Sequence, residues 1–250
     1  MRKIVAANWK MYKTRGEAAA TATALRRLLD GNMPEGRDVV VFPPFLAVSA
    51  VAEALAGADR MAVGAQDVYP AAEGAFTGEV SPAMLRDGGA SWVLVGHSER
   101  RHVLGEDDAF VGRKAAFALE QGLKIMVCVG ETLEEREAGR LEAVLARQLD
   151  AAFAGVRAAG CGDLAVAYEP VWAIGTGKVA GPREIAEAHA LVRRLLVRRF
   201  PEFGNNVAIL YGGSVKPANA ASIIALDNVD GLLVGGASLD AESFSAIVRA

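Results

Sequence analysis

The sequence predicts an α/β protein that folds as a (β/α)₈ barrel, in a single domain covering residues 1–250. Eight short apolar runs rich in Val, Ile and Ala alternate with longer segments of helical periodicity. Near-continuous apolar strands of this kind are typical of a parallel sheet that helices cover. Eight such units in 250 residues are the number that closes a barrel. A doubly wound open sheet has the same local pattern and is the alternative at this point.

The strands are predicted where the apolar runs are richest in β-branched residues. In chain order they cover residues 3–7, 38–42, 61–65, 91–95, 124–129, 164–168, 207–211 and 231–234. Amphipathic periodicity predicts helices over residues 16–29, 45–55, 107–121, 133–153, 182–199, 217–226 and 239–248. Proline follows Ser81, Gly181 and Lys216, and each pair indicates a helix start because the first helical turn tolerates proline.

Composition argues against several classes of function. The formal net charge is -3, so the chain lacks the basic surface that nucleic-acid binding requires. The pairs Arg193/Arg194 and Arg198/Arg199 are interpreted as the solvated face of a helix. No apolar run is long enough to cross a membrane, and the run near the start is too short for a secretory signal. The two cysteines form no CxxC motif, so we expect reduced thiols in a cytoplasmic protein.

A chemically distinctive residue or a glycine turn follows each apolar run. These are Asn8 and Lys10, Pro43-Pro44, Gln66, His97, Gly130-Glu131, Glu169, Gly212-Gly213-Ser214 and Gly235-Gly236. In a barrel the eight strand ends converge on one face, whereas an open sheet spreads them along an edge. A cation, an imidazole, a carboxylate and two glycine turns at such ends therefore favour a barrel with a single site.

The segment AVAYEPVWAIGTGK, residues 165–178, places a carboxylate beside a glycine-containing loop. The apolar strand stops at Glu169, and Pro170 keeps that residue out of the helical conformation. Gly175 and Gly177 allow the loop beyond to move. This arrangement suits a general base that a loop covers and uncovers. A solvated strand-end Glu before an ordinary loop is the alternative.

Five segments in register carry a resemblance over the whole chain. They read NWKM at 8–11, VGHSERR at 95–101, AYEPVWAIGTGK at 167–178, YGGSV at 211–215 and GLLVGGASL at 231–239. Their order and spacing resemble the triosephosphate isomerase family. The resemblance implies a TIM barrel that interconverts D-glyceraldehyde 3-phosphate and dihydroxyacetone phosphate through an enediol(ate), in glycolysis and gluconeogenesis, without a cofactor or a metal. Tyr12 departs from the family, where many members carry Asn, and leaves one loop contact open.

The resemblance also implies the roles of individual residues. Glu169 is similar to the family's general base, and His97 to its neutral histidine electrophile, whose pKa a helix N-terminus lowers. Lys10 and Asn8 resemble the residues that bind the substrate and stabilise the developing oxyanion. Glu99 resembles the acidic partner of that lysine.

Phosphate binding is predicted at the glycine turns after the last two strands. Backbone N–H groups at such turns bind anions, and barrels often place a phosphate there. The predicted substrate-binding residues here are Ser214, Gly235 and Gly236. By resemblance, Gly175 in the loop beyond Glu169 closes its N–H onto the same phosphate.

The segment from Gln66 to Ser81 has no periodicity, and an aperiodic stretch of this length is uncommon in a compact domain unless it is functional. By resemblance it inserts into a second subunit near the turn between Asn8 and Lys10. We therefore predict a homodimer in which Thr77 supports the partner's site.

Other classes fit the residues less well. A Schiff-base aldolase would need a lysine within a strand, and Lys124 opens one at its N-terminal end. The three histidines form no metal-binding pattern such as HxH or HExxH. The glycines near 175 match neither GxGxxG nor the phosphate loop of nucleotide-binding proteins. A non-catalytic phosphosugar-binding barrel could keep every glycine, and only Glu169 and His97 argue against it.

Overall fold

Eight parallel strands form a closed barrel in the computed structural model, which describes residues 2–156, 160–173 and 180–250. Each strand pairs with the next along the chain, and the first strand also pairs with the last. In that closing pair Ile4 lies opposite Gly231 and Ala7 lies opposite Val234. An open sheet has no such closing pair. The predicted (β/α)₈ architecture is therefore confirmed and the open-sheet alternative is wrong.

All eight predicted strands are present, with bounds within one residue of the prediction. They are β1 (Lys3–Asn8), β2 (Arg37–Phe42), β3 (Met61–Ala65), β4 (Trp92–Val95), β5 (Lys124–Val129), β6 (Leu164–Tyr168), β7 (Ala208–Tyr211) and β8 (Gly231–Val234). The agreement is close because each strand is buried along most of its length, so its whole run is apolar.

Ten α-helices lie in the described part of the chain. They are α1 (Arg15–Leu29), α2 (Val48–Leu55), α3 (Pro82–Asp87), α4 (Ser98–His102), α5 (Asp108–Glu120), α6 (Leu133–Glu137), α7 (Leu141–Phe153), α8 (Pro182–Arg199), α9 (Pro217–Ile224) and α10 (Ala241–Val248). A short 3₁₀ turn at Phe45–Ala47 precedes α2 where the prediction had continuous helix, and another at Gly236–Ser238 lies just before the predicted last helix. None of these helices combines the length and hydropathy of a transmembrane segment.

The prediction of one helix over residues 133–153 is wrong. The chain forms α6 and α7, separated by a turn at Ala138, Gly139 and Arg140. Gly139 has a φ of 67°, a left-handed conformation that ends helices and that glycine adopts without strain. The apolar periodicity continues through this turn, which concealed the break.

The arginine pairs on α8 are only half solvated, so that interpretation is corrected too. Arg193 donates to Asp230 and to the carbonyls of Gly204 and Val207, and Arg199 donates to the carbonyl of Phe153. Consecutive residues on a helix point about 100° apart, so one member of each pair turns towards the barrel. Both inward arginines satisfy backbone carbonyls rather than binding an external anion.

Two apolar layers hold the barrel and leave one end open for a site. The interior is filled by a mixture of small and large side chains, among them Ala165, Ala167 and Phe42. The outer layer lies between the strands and the helices. Layers of interdigitating side chains make a barrel interior a packed core rather than a pore, so chemistry is confined to the loops at its carboxyl end.

His189 on α8 is a fully buried titratable group that the site does not use. Its Nδ1 lies 2.9 Å from the carbonyl oxygen of Asn228, so Nδ1 donates, and its Nε2 has no partner among the described residues. The ring packs at 5.9 Å from Tyr168 and 6.4 Å from Tyr211. Burial lowers the pKa of His189 to about 4.

This burial predicts a pH-dependent loss of stability that His189→Asn removes. Below about pH 6.5, His189 binds a proton in the unfolded chain but stays neutral in the native protein. The free energy of unfolding therefore falls as the pH is lowered to about 4, where native His189 also becomes protonated. Asparagine keeps a donor near Nδ1 but does not titrate. Urea unfolding at several pH values should show the wild type losing up to about 3 kcal/mol more than the variant over this interval. Parallel curves for the two proteins would contradict the prediction.

Candidate active site

A cavity of about 720 Å³ opens at the carboxyl end of the strands. It contains eight of the predicted site residues: Asn8, Lys10, His97, Glu99, Glu169, Ser214, Gly235 and Gly236. Thr77 is exposed and does not line the cavity, and Gly175 lies outside the described residues. The loops after β1, β4, β6, β7 and β8 therefore meet at one place.

Glu169 directly follows β6 and is only 2% exposed. Its backbone N–H donates to the carbonyl of Val129 at 2.7 Å, which continues the pairing with β5 past the end of the strand. One carboxylate oxygen accepts the N–H of Ser98 at 2.8 Å, and the other lies 2.9 Å from Nε2 of His97. The acid is therefore held at both its backbone and its side chain.

Two glycines make room for Glu169. A Cβ on Gly130 would collide with the carbonyl oxygen of Glu169, and one on Gly212 would lie 2.9 Å from its Cγ. Gly212 also donates its N–H to the carbonyl of Tyr168 at 2.8 Å. Glycine is required at both positions because the backbone and side chain of the acid pass so closely.

His97 caps the N-terminus of α4 with its ring. Its Nδ1 accepts the backbone N–H of Glu99 at 3.2 Å, so the proton of the neutral imidazole lies on Nε2. Nε2 faces Glu169, 2.9 Å away. The helix start thus selects the tautomer that offers an N–H to the cavity.

The contact between His97 and Glu169 sets the pKa values of both groups. Burial raises the pKa of Glu169, but His97 and the Ser98 N–H outweigh it and hold the pKa below its ordinary value. Burial lowers the pKa of His97, but the carboxylate outweighs it and holds the pKa above its ordinary value. This net direction is opposite to the lowered pKa that the resemblance implied. Both net shifts therefore depend on the two side chains staying together.

Lys10 enters the cavity from a strained turn after β1. Its φ is 51°, and the turn is held because the side chain of Asn8 accepts the Lys10 N–H at 3.0 Å. Gln66 donates to the Lys10 carbonyl at 2.9 Å. The ammonium group pairs with Glu99 at 2.5 Å, which fixes a cation beside His97.

The glycine turns after β7 and β8 border the same cavity. Gly212, Gly213 and Ser214 line it from one turn, and Gly235 and Gly236 from the other. The sequence argument missed Lys216, which also lines the cavity and adds a second cation before α9. The sequence predicted a helix start at Lys216 and Pro217, but nothing in it indicated which way the lysine side chain points.

A family model described as triosephosphate isomerase matches residues 3–250. The chain belongs to the triosephosphate isomerase family. Three relatives named triosephosphate isomerase illustrate the similarity. One from Nitratidesulfovibrio vulgaris (strain DSM 19637 / Miyazaki F) is 65% identical over 251 residues, covering all of both chains. Those from Lawsonia intracellularis and Pseudomonas putida (strain W619) are 50% and 47% identical, each over all of this chain and 98% of the relative.

The first residues of the loop beyond Glu169 are anchored to one buried carboxylate. Glu131 accepts the hydroxyl of Tyr168 at 3.0 Å and the indole N–H of Trp172 at 2.8 Å. Its backbone carbonyl accepts the N–H of Val171 at 3.1 Å. The segment therefore leaves the barrel from a defined position.

Cys128, which the sequence places next to the rim of the site, is a packed residue. It lies inside the barrel beside Glu169, and both cysteines of the chain are free thiols. Burial and the charge of Glu169 raise the pKa of the Cys128 thiol. A thiol in this setting is a poor nucleophile.

Proposed function

We propose that Glu169, His97, Lys10 and Asn8 carry out the proton transfer by which this member of the family interconverts D-glyceraldehyde 3-phosphate and dihydroxyacetone phosphate. The observation that carries this proposal is the buried pair of Glu169 and Nε2 of His97, 2.9 Å apart, beside the Lys10 ammonium group. A carboxylate base, an N–H donor and a cation around one cavity are what an enolisation requires.

Glu169 acts as the single base. It removes the proton from the carbon beside the carbonyl, and the C–H electron pair forms the carbon–carbon double bond of the enediol(ate). The carbonyl electron pair moves onto oxygen, where the Nε2–H of His97 donates to it. Protonated Glu169 then returns its proton to the former carbonyl carbon. The hydroxyl proton of the other oxygen passes to the former carbonyl oxygen, which becomes a hydroxyl, and the other oxygen becomes the new carbonyl. One carboxylate thus serves both carbons.

Substrate binding changes the acidity of both groups in the required direction. The substrate must enter between Glu169 and His97 and so break their contact. Burial, which the contact outweighs while the two side chains touch, then dominates. It raises the basicity of Glu169 and keeps His97 neutral, so the base becomes stronger only when substrate is present.

Lys10 and Asn8 bind and polarise the substrate. The ammonium group attracts the phosphate dianion and stabilises the developing oxyanion in a site that partly excludes water. Glu99 supports it by holding the ammonium group at the cavity. Asn8 supports it by fixing the turn on which Lys10 stands.

The glycine turns after β7 and β8 receive the phosphate. Ser214, Gly235 and Gly236 line the cavity and offer backbone N–H groups, which bind an anion without a charged side chain. The family resemblance adds Gly175. Binding energy from this unreactive end contributes to catalysis when it closes the site around the enediol(ate) and limits loss of phosphate.

Measuring both turnover of the substrate and binding of an inhibitor distinguishes an isomerase from a non-catalytic phosphosugar-binding barrel. Phosphoglycolate, a small phosphorylated carboxylate, should inhibit the conversion of D-glyceraldehyde 3-phosphate at the concentration at which it binds in calorimetry. Binding of phosphoglycolate by a wild-type protein without turnover would contradict the proposal.

We propose further that the protein is a homodimer in the cytoplasm, with residues 1–250 as one domain. Large exposed apolar side chains lie on or near the loops after β1 to β4: Met11, Tyr12, Phe45, Leu46, Phe76, Met84, Val103 and Leu104. Scattered single apolar residues are ordinary on a protein surface, but a concentration on one side marks an interface. In the segment 66–81 the rings of Tyr69 and Phe76 pack against each other at a tilt, with their centroids 4.4 Å apart, which gives the loop tip a defined shape for insertion.

Thr77→Arg tests the dimer. Thr77 is exposed in the protomer, so the substitution leaves the fold of one subunit intact while placing a charge in the proposed interface. We expect sedimentation to show a monomer, with kcat lower by about tenfold or more because the turn at Asn8 and Lys10 loses its support. Thr23 is exposed on α1, outside the proposed interface, so the control variant Thr23→Arg should stay dimeric. A wild-type protein that is monomeric at micromolar concentration with full activity would contradict the dimer.

A further inference from the structure

The side chain of Arg101 is an almost buried cation, 7% exposed, on α4 behind His97. Its Nε donates to the carbonyl of Gly96 at 2.7 Å, and its backbone N–H donates to the carbonyl of His97 at 3.1 Å. These two carbonyls belong to the peptide groups on either side of the His97 Cα. The side chain of Arg101 therefore fixes the peptide plane before His97, and its backbone N–H fixes the plane after it; the two planes determine the direction of the imidazole.

The strand end is shaped to receive this guanidinium group. Gly96 has a φ of 69°, a left-handed conformation, and a Cβ there would lie 2.7 Å from Nη2 of Arg101. It would also lie 2.9 Å from Val111. Gly96 and Arg101 thus depend on each other, because the close approach of the guanidinium leaves no room for a side chain.

The same guanidinium group reaches the strand that holds the acid. Its Nη2 donates to the carbonyl of Cys128 at 3.3 Å, and the next residue, Val129, accepts the N–H of Glu169 at 2.7 Å. Arg101 therefore bridges the end of β4, which carries His97, and the end of β5, against which Glu169 is held. Its third nitrogen, Nη1, pairs with Asp108 at 2.6 Å, which anchors the group to the start of α5.

We propose that Arg101 is a positioning residue that sets the geometry between His97 and Glu169. The inference rests on the proposed roles of those two residues. Arg101 acts through the backbone and never touches the substrate. Arginine is required because its planar fork supplies three separate donors in fixed directions, whereas a lysine keeps the charge but presents one mobile nitrogen. Displacements of about 1 Å in a catalytic group cost up to about 10²-fold in rate.

Arg101→Lys is the informative variant, with Arg147→Lys as its matched control. Arg147 pairs with the other oxygen of Asp108 from the exposed side and contacts neither strand end. We expect Arg101→Lys to lower kcat by about tenfold with KM within about twofold, because the phosphate turns are untouched. Arg147→Lys should change neither constant.

A spectroscopic measurement distinguishes positioning from a merely structural role. In the phosphoglycolate complex, the ¹⁵N and ¹H signals of the His97 Nε2–H should shift in Arg101→Lys and stay unchanged in Arg147→Lys. If Arg101→Lys folds poorly, Asp108→Asn removes the anchor but keeps the fork, and should lower kcat in the same direction by a smaller factor. Wild-type kcat per folded site, or a lower kcat with an unmoved His97 signal, would overturn the proposal.

Failure of the proposed function and failure of the role of Arg101 give different results. If the roles of Glu169 and His97 are wrong, replacing Glu169 leaves turnover intact. If only the role of Arg101 is wrong, replacing Glu169 abolishes turnover while Arg101→Lys behaves as the wild type.

Discussion

Glu169→Gln is expected to lower kcat by about 10⁴-fold while the barrel stays folded. The amide has the shape of the carboxylate, and its oxygen can still accept the Ser98 N–H. It has no basicity with which to take a proton from carbon. Glu169→Asp keeps the carboxylate but shortens the side chain by one methylene, so we expect a smaller loss of about 10²-fold.

The measurement is conversion of D-glyceraldehyde 3-phosphate to dihydroxyacetone phosphate, with thermal unfolding recorded on the same samples. Glu134→Gln serves as the control, because Glu134 is exposed on α6 and does not line the cavity. Its kcat should equal that of the wild type. A Glu169→Gln protein retaining more than a tenth of the wild-type kcat would remove Glu169 from the mechanism.

Lys10→Met should lower kcat/KM by about 10³-fold through both constants. Loss of the ammonium group weakens attraction for the phosphate dianion, which raises KM, and withdraws stabilisation from the oxyanion, which lowers kcat by about 10²-fold. Methionine has a similar length, so the turn after β1 can keep its bond to Asn8.

Lys13→Met is the matched control for this charge. Lys13 lies three residues away with a similarly positive φ, but it does not line the cavity. Steady-state kinetics at two ionic strengths should show a salt-dependent KM in the wild type and in Lys13→Met, and a much weaker dependence in Lys10→Met. If the two substitutions changed the kinetic constants equally, the lysines would act only through the overall electrostatic potential of the protein.

The barrel could be predicted because each strand is buried along most of its length. An apolar run that stops at a polar residue therefore marks both a strand and its carboxyl end, and this placed Asn8, His97 and Glu169 in advance. The break between α6 and α7 was not predictable from periodicity, since Gly139 interrupts the helix without interrupting the apolar pattern.

Charges that become buried through tertiary contacts were also beyond the sequence argument. Lys114 lies within the amphipathic pattern of α5, yet it is buried between the carboxylates of Asp67 and Glu106 at 2.7 and 2.5 Å. Its partners are 47 and 8 residues away in sequence. Such pairings depend on how α5 lies beside the loop that follows β3, which no local pattern records.

The candidate site, too, was predictable only in part. Residue types at strand ends predicted which groups meet, but not how they are oriented. The donation of the Glu99 N–H to His97 selects the ring tautomer, and the Ser98 N–H holds the carboxylate. Both contacts depend on the start of α4. This helix has only five residues, too few for apolar periodicity to predict it.

Isotope exchange in D₂O tests the central claim most directly, that Glu169 alone transfers the proton between the two carbons. The wild-type protein should isomerise D-glyceraldehyde 3-phosphate in the presence of a chelator, and NMR should find deuterium at only one of the two diastereotopic hydrogens on C1 of the product. Exchange through a single protonated carboxylate on one face of the enediol(ate) gives this result. Both exchange and turnover should vanish together in Glu169→Gln. Deuterium at both positions, or exchange that persists without Glu169, would contradict the account.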